Sequence, residues 1–220
     1  MKNNSHRKPI YFLSETITFP SVEHANSEGL LAVGGDLSSE RLLLAYKSGI
    51  FPWFNEDSLI FWWSPNPRMV LFPDKIKISK TMNKLLKSNQ FKITKNKCFK
   101  VVIENCSKIT RKGQDGTWIT NNIKNAYLKL HEEGIAQSYE VWENDELVGG
   151  LYGIDLGTIF CGESMFSLVD NASKFAFIHL ALELQSKNYK LIDCQIYTSH
   201  LQSLGAEEIP RTAFIELLQG

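Results

Sequence analysis

The stretch that most constrains this fold runs from Gly149 to Gln195, GGLYGIDLGTIFCGESMFSLVDNASKFAFIHLALELQSKNYKLIDCQ. It reads as strand, turn, strand, loop, helix, strand. The first two strands carry Gly149, Gly150, Gly153 and Gly157, where side chains would block close approach of a neighbouring chain. The loop carries one carboxylate, Glu163, set between Phe160, Met165 and Phe166. The last strand places Asp193 and Gln195 two residues apart, so a regular pleat turns both to one side. An apolar cleft with three convergent polar side chains suits a bulky apolar group.

The rest of the chain is read around that stretch. PIYFL reads as a short strand, and FPSVEHANSEGLLAVGGDL, with its proline and three glycines, as mostly loop and turn. SSERLLLAYKSG is a helix capped by Ser38 or Ser39 and stopped by Gly49. LIFWW and RMVLF read as strands separated by the turn SPNP. The boundary then falls near residues 70–75, which predicts an N-terminal α/β domain over 1–72 and a larger domain over 73–220. From residue 90 the order is strand, two helices, hairpin, strand, helix, strand, with Asn144-Asp145 as the hairpin turn. That order predicts a mixed α/β sheet, antiparallel at first and then parallel across one helix.

Net charge is zero, but it is unevenly placed. Residues 75–112 hold twelve Lys and Arg against the single acid Glu104, while 113–220 hold six bases against fifteen acids. Such a block is either a lysine-rich solvated face or the footprint of a polyanion. The four cysteines have no CxxC spacing, the first ten residues lack the apolar run of a signal peptide, and no apolar run is long enough to span a bilayer. These features predict a cytoplasmic protein with no membrane partner. The five histidines are scattered, no GxxxxGK[ST] string is present, and no metal or other cofactor is expected.

Several longer strings then stand out: GLLAVGGDLSSERLLLAYKSGIFPWF, WWSPNPRMVL, GTWIT, EVWENDELVGGLYGIDLGTIFCGESMFS, NASK, LIDCQ and SLGAEEIPRTAF. On these the chain closely resembles the leucyl/phenylalanyl-tRNA–protein transferase family, from about Phe19 to Phe214. The resemblance implies a small N-terminal domain and a larger domain similar to N-acetyltransferases. It implies transfer of Leu, Phe or, less readily, Met from aminoacyl-tRNA to the α-amine of a protein that begins with Lys or Arg, marking that protein for degradation. The reaction is aminolysis of an already activated ester, so it needs a neutral amine, a positioned ester and support for the oxyanion.

The family motifs map onto named residues. Asp193 is expected to accept from the Gln195 side-chain amide, whose oxygen then holds the attacking amine. Glu163 is expected either to hold the acceptor's cation or to satisfy backbone donors. The aminoacyl side chain is assigned to Trp53, Leu151, Phe160, Met165, Phe177, Leu180 and Ile192, with plain core as the alternative reading of Phe177 and Leu180. Trp118 either stacks on the terminal adenosine or walls the cleft. The acceptor-stem phosphates are assigned to Lys75, Lys77, Lys80, Lys84, Lys87, Arg111 and Lys112. Two other readings compete. An acyl-CoA-dependent N-acyltransferase would want a Gly-rich loop opening the long helix, where NASK stands instead. A noncatalytic RNA-binding module would explain the basic block but not the apolar cleft beside Asp193 and Gln195.

Overall fold

The computed structural model describes residues 9–56, 58–109 and 117–220. The chain forms two compact units, one built from the residues up to Arg68 together with Ile209–Gly220, the other from Met69–Glu208.

The first unit opens with β1 (Tyr11–Leu13), β2 (Leu30–Gly34), α1 (Ser39–Lys47), β3 (Phe51–Pro52) and β4 (Phe61–Trp63), and its sheet has the order β1-β2-β4-β3. β2 lies within the segment expected to be loop. The run LLAV is continuous apolar sequence bounded by glycines, the signature of a strand covered on both faces, and Leu31, Ala32 and Val33 are indeed buried. α1 starts where the Ser38 hydroxyl accepts from the Arg41 N–H, as the sequence predicts. Arg41 is itself fully buried: its Nη2 donates to the carbonyls of Ser14, Glu15 and Thr16, and its Nε to Asp36.

The second unit continues through β5 (Arg68–Leu71), α2 (Lys80–Lys87), β6 (Lys92–Lys95), α3 (Phe99–Lys108), α4 (Asn121–Glu132), β7 (Ala136–Glu143), β8 (Glu146–Asp155), β9 (Ile159–Ser167), α5 (Ala172–Ser186), β10 (Leu191–Gln195), α6 (Ser199–Ser203) and β11 (Glu207–Ile209). Its seven strands run β11-β5-β10-β9-β8-β7-β6. The sheet is antiparallel from β6 to β9 and parallel where β10 returns beside β9 across α5, the mixed α/β arrangement expected. Asn144 and Asp145 have φ of 50° and 63°, which gives the two-residue hairpin turn whose twist matches the flanking strands. RMVLF does form a strand, but β5 pairs with β10 in this larger sheet.

Close packing explains the glycines of β8. A Cβ on Gly153 would sit 2.2 Å from the Cys161 carbonyl oxygen and 2.5 Å from the Phe160 ring. α5 is apolar around nearly its whole circumference because both of its sides are covered. It rests on the sheet, and Phe91 meets Phe175 edge-on at 5.4 Å between centroids. α2 lays Met82, Leu85 and Leu86 onto this same core, which leaves Lys80, Lys84 and Lys87 exposed. α3 and α4 also pack on the sheet. There the buried Glu140 carboxylate accepts from Thr94 Oγ1 at 2.5 Å, Ser138 Oγ at 2.6 Å and the Lys97 N–H at 3.2 Å. It steadies the chain just ahead of α3, whose cap residue Cys98 makes no side-chain bond of its own.

The chain ends in α7 (Arg211–Gln219), a helix that the sequence reading did not single out and whose residues it placed in the second domain. They belong to the first unit instead. Arg211 Nη1 donates to the Ser64 carbonyl at 2.7 Å, and Phe214 lies under the Arg68 guanidinium at 4.7 Å, with Phe51 on its other side at 4.8 Å. Contacts that distant in sequence leave no local trace.

One charged cluster ties α5 to β6 and β7. Glu183 accepts from Tyr139 Oη at 2.8 Å, Lys95 Nζ at 3.1 Å and Lys187 Nζ at 2.5 Å. Partial burial alone would raise its carboxyl, but the bonds from Lys187, Tyr139 and Lys95 outweigh that and hold it below its ordinary value of 4.5. A depressed carboxyl contributes stability above the unfolded value and loses it as pH falls through the folded one. The destabilisation caused by Glu183→Gln should therefore be largest at neutral pH and shrink as pH drops below 4.5, measured by urea unfolding across pH. An equal loss at all pH values would mean the charge contributes nothing.

Candidate active site

The site lies in the second unit, at the C-terminal end of the β9–β10 pairing. The two strands are paired from Leu191 with Ile159 to Asp193 with Cys161. Beyond that point a side chain bridges them: Gln195 Nε2 donates to Glu163 Oε1 at 2.7 Å. Tyr127 of α4 donates its hydroxyl to Glu163 Oε2 at 3.0 Å. Asp193 Oδ1 accepts from the Gln195 backbone N–H at 3.0 Å.

Both polar strand residues are delivered by irregularities. On β9, Ser164 pairs with Tyr152 and Gly162 with Gly153, so Glu163 is the extra residue of a bulge. On β10, Asp193 pairs with Val70 and Gln195 with Met69, so Cys194 is extra. Such bulges bend a strand and re-aim side chains. Gln195 also has φ of 65°, in the left-handed region that a non-glycine residue enters at a cost of about 1 kcal/mol or more.

This geometry corrects two expectations. Asp193 and Gln195 are not a same-face pair on a regular strand, because the bulge and the left-handed turn break the alternation. The Gln195 side-chain amide goes to Glu163, while Asp193 holds the Gln195 backbone N–H. Glu163 sits in a strand and not in a loop, and its carboxylate carries two side-chain donors. An ionised carboxylate only accepts, so the Gln195 nitrogen faces it and the amide oxygen is turned the other way.

Leu151, Phe160, Phe177, Leu180 and Ile192 are all buried in one core cluster between the sheet and α5, and Met165 packs against that cluster while partly exposed. Trp118 is partly buried, and its carbonyl accepts from the N–H of Thr120, the residue that caps α4. Trp53 belongs to the first unit, where its carbonyl accepts from Trp63 Nε1 at 2.7 Å and the two rings lie 5.7 Å apart. Lys75, Lys77, Lys80, Lys84 and Lys87 are exposed on the second unit, with Lys75 bonded to Glu207 and lying over the Phe72 ring. Arg111 and Lys112 lie outside the described residues. Among the described residues no group of three or more His, Cys, Asp or Glu is placed to hold a metal.

Tyr127 is the site residue absent from the sequence-based site assignment. The signal was its hydroxyl: a phenol on the buried side of an amphipathic helix needs a polar partner. Tyr127 is fully buried, its ring edge-on to Tyr152 at 5.7 Å, with Glu163 at its tip.

Comparison with known proteins gives a consistent result. A family profile described as leucyl/phenylalanyl-tRNA protein transferase matches residues 70–219, and one described as that family's N-terminal domain matches 35–66. A leucyl/phenylalanyl-tRNA–protein transferase of Flavobacterium johnsoniae is 61% identical over 96% of this chain and 99% of its own length. Proteins of the same name from Christiangramia forsetii and Flavobacterium psychrophilum are 58% and 55% identical, each along the whole of its own length. Solved structures are more distant. L-PGS from Bacillus licheniformis is 12% identical with a TM-score of 0.43 over 77% of this chain and 56% of its own. A GCN5-related N-acetyltransferase from Kribbella flavida is 8% identical with a TM-score of 0.38 over 80% and 63%.

The left-handed turn has a measurable consequence. Gln195→Ala and Gln195→Gly both remove the bond to Glu163 and differ only in what they ask of the backbone. At a regular strand position the glycine variant is the less stable by about 0.5–1 kcal/mol. Here the order should reverse by roughly 0.5–1 kcal/mol, read as the difference in urea midpoints. Alanine being the more stable would show that the turn relaxes once the side chain is gone.

Proposed function

The chain belongs to the leucyl/phenylalanyl-tRNA–protein transferase family and so is a transferase acting between aminoacyl-tRNA and protein; from that premise we propose that its acceptors are proteins beginning with Lys or Arg. We take Met to be a lesser donor beside Leu and Phe, and the product to be marked for degradation. The same reading puts the protein in the cytoplasm, where charged tRNA is made. Among the described residues no helix is long and apolar enough to cross a membrane, and all four cysteines are free thiols.

The observation that carries the mechanism is the 2.7 Å bond from Gln195 Nε2 to Glu163 Oε1. The charged carboxylate polarises the amide and fixes its orientation. The amide oxygen then receives an N–H of the acceptor's α-amine and aims the nitrogen lone pair at the ester carbonyl. Attack forms the N–C bond, and collapse of the tetrahedral intermediate breaks the C–O bond to the terminal ribose, whose oxygen takes up the proton that the amine nitrogen gives up and leaves as the hydroxyl. Asp193 acts one step back, holding the backbone N–H of Gln195 and so the turn that presents the amide. Tyr127 holds the far oxygen of Glu163. The residue being transferred inserts among Leu151, Phe160, Met165, Phe177, Leu180 and Ile192, with Met165 at the margin. A slot between packed strands and a helix suits side chains unbranched at Cβ, and each methylene of fit discriminates by about 1–3 kcal/mol. Trp118 is the candidate for stacking on the terminal adenosine, an interaction worth about 1–3 kcal/mol.

Transfer of labelled Phe from charged tRNA to a protein with N-terminal Arg tests this reading. Gln195→Ala should lower the single-turnover rate by about 10²- to 10⁴-fold, the usual span for positioned proton handling. Asp193→Asn should lower it less, because it acts through the turn. Near-normal rates in both variants would remove Gln195 from the chemistry.

The exposed lysines of α2 are assigned to tRNA phosphates. Lys80, Lys84 and Lys87 share one helix face opposite the buried Met82, and phosphate contact carries no sequence information. Replacing all three should flatten the slope of log K against log salt by up to about three units, at roughly 0.9 per phosphate neutralised. Charged Leu and Phe tRNAs should weaken alike. An unchanged slope in a salt titration of binding would make this helix face merely solvated and move the tRNA elsewhere.

A further inference from the structure

Immediately after Gln195 the chain presents two large apolar side chains to solvent, Ile196 at 42% exposure and Tyr197 at 49%. They do not lie on a loose loop. The left-handed Gln195 sits inside a tight turn in which the Ile196 N–H donates to the Cys194 carbonyl at 2.8 Å. The Tyr197 hydroxyl donates to Gln202 Oε1 at 2.9 Å, which fixes the ring. The next residue, Thr198, caps α6 by accepting from the Leu201 N–H at 3.2 Å. Two large apolar side chains side by side next to the candidate site offer a contact surface there.

We propose that Ile196 and Tyr197 form the contact for the second residue of the acceptor polypeptide and give the enzyme a preference for an apolar side chain there. The inference rests on the reading above, in which Gln195 holds the acceptor's α-amine. Its length scale follows from covalent geometry. Successive Cα atoms lie about 3.8 Å apart, so the acceptor's second residue starts one such step from the residue that carries the amine. Ile196 and Tyr197 follow Gln195 directly in the chain. The composition of the segment favours a peptide over the donor tRNA: residues 195–205, QIYTSHLQSLG, contain no Lys or Arg to meet a phosphate.

The test uses the full-length protein and Arg-initiated peptides identical except at the second position, which is Phe, Leu or Gly. The wild-type protein should favour Phe and Leu over Gly in kcat/KM by roughly 2- to 10-fold, the range of one aromatic contact. Tyr197→Ala should bring that ratio close to one, while Tyr197→Phe, which keeps the ring, should preserve it. Ile196→Ser reads the same ratio independently, and urea midpoints establish that each variant is folded. A wild-type ratio of one, or a ratio that survives in both Tyr197→Ala and Ile196→Ser, overturns the proposal. So does a loss in Tyr197→Ala that is equal for all peptides and appears in the KM for charged tRNA, since the ring would then serve the donor. If the wild-type protein transfers to none of these peptides while still discharging aminoacyl-tRNA to other proteins, the acceptor reading itself fails and this inference falls with it.

Discussion

The candidate site depends on where β9 and β10 cease to be hydrogen-bonded partners. Backbone pairing holds them together as far as Asp193 and Cys161. Past that point Gln195 reaches Glu163 with a side chain. A continuous ladder would have used up these backbone groups and left no place for the side-chain bridge. The bulge on each strand is what ends regularity at this depth, and Gly153 permits the tight approach just before it.

The polar cluster is economical in its logic. Glu163 is an acceptor with two side-chain donors, Tyr127 and Gln195, and Asp193 takes a backbone donor. A partly buried carboxylate that accepts a hydrogen bond on each oxygen is held rigid in direction. That rigidity passes to the Gln195 amide, whose orientation is dictated because an ionised carboxylate cannot donate. The left-handed backbone at Gln195 is strain stored at the point where direction matters, a common feature of binding and catalytic positions.

The long helix α5 serves the site from behind. Covered by the sheet on one side and by α2 on another, it buries eight of its fifteen residues. The same packing turns the α2 lysines outward, which couples a basic surface to the core by nothing more than helical periodicity.

Much was legible in the sequence because it is set locally. The apolar run of NASKFAFIHLALELQ, the Asn144-Asp145 turn and the cap at Ser38 are all functions of neighbours within a few residues, and the strings around Glu163 and LIDCQ marked the region of the candidate site. Three features became visible only in the tertiary structure. The Gln195 amide pairs with Glu163 and not Asp193, because two bulges, which strand alternation cannot reveal, rotate those side chains. Tyr127 joins the site because α4 happens to pack its buried face over Glu163. Residues 209–220 return to the first unit because Arg211, Phe214 and Arg68 find partners more than a hundred residues away or at the far end of the unit. Local sequence determines which segments become strands and helices and which of their faces are apolar. Only the packed chain decides which polar side chains meet, because those meetings depend on register and on contacts between residues far apart in the chain.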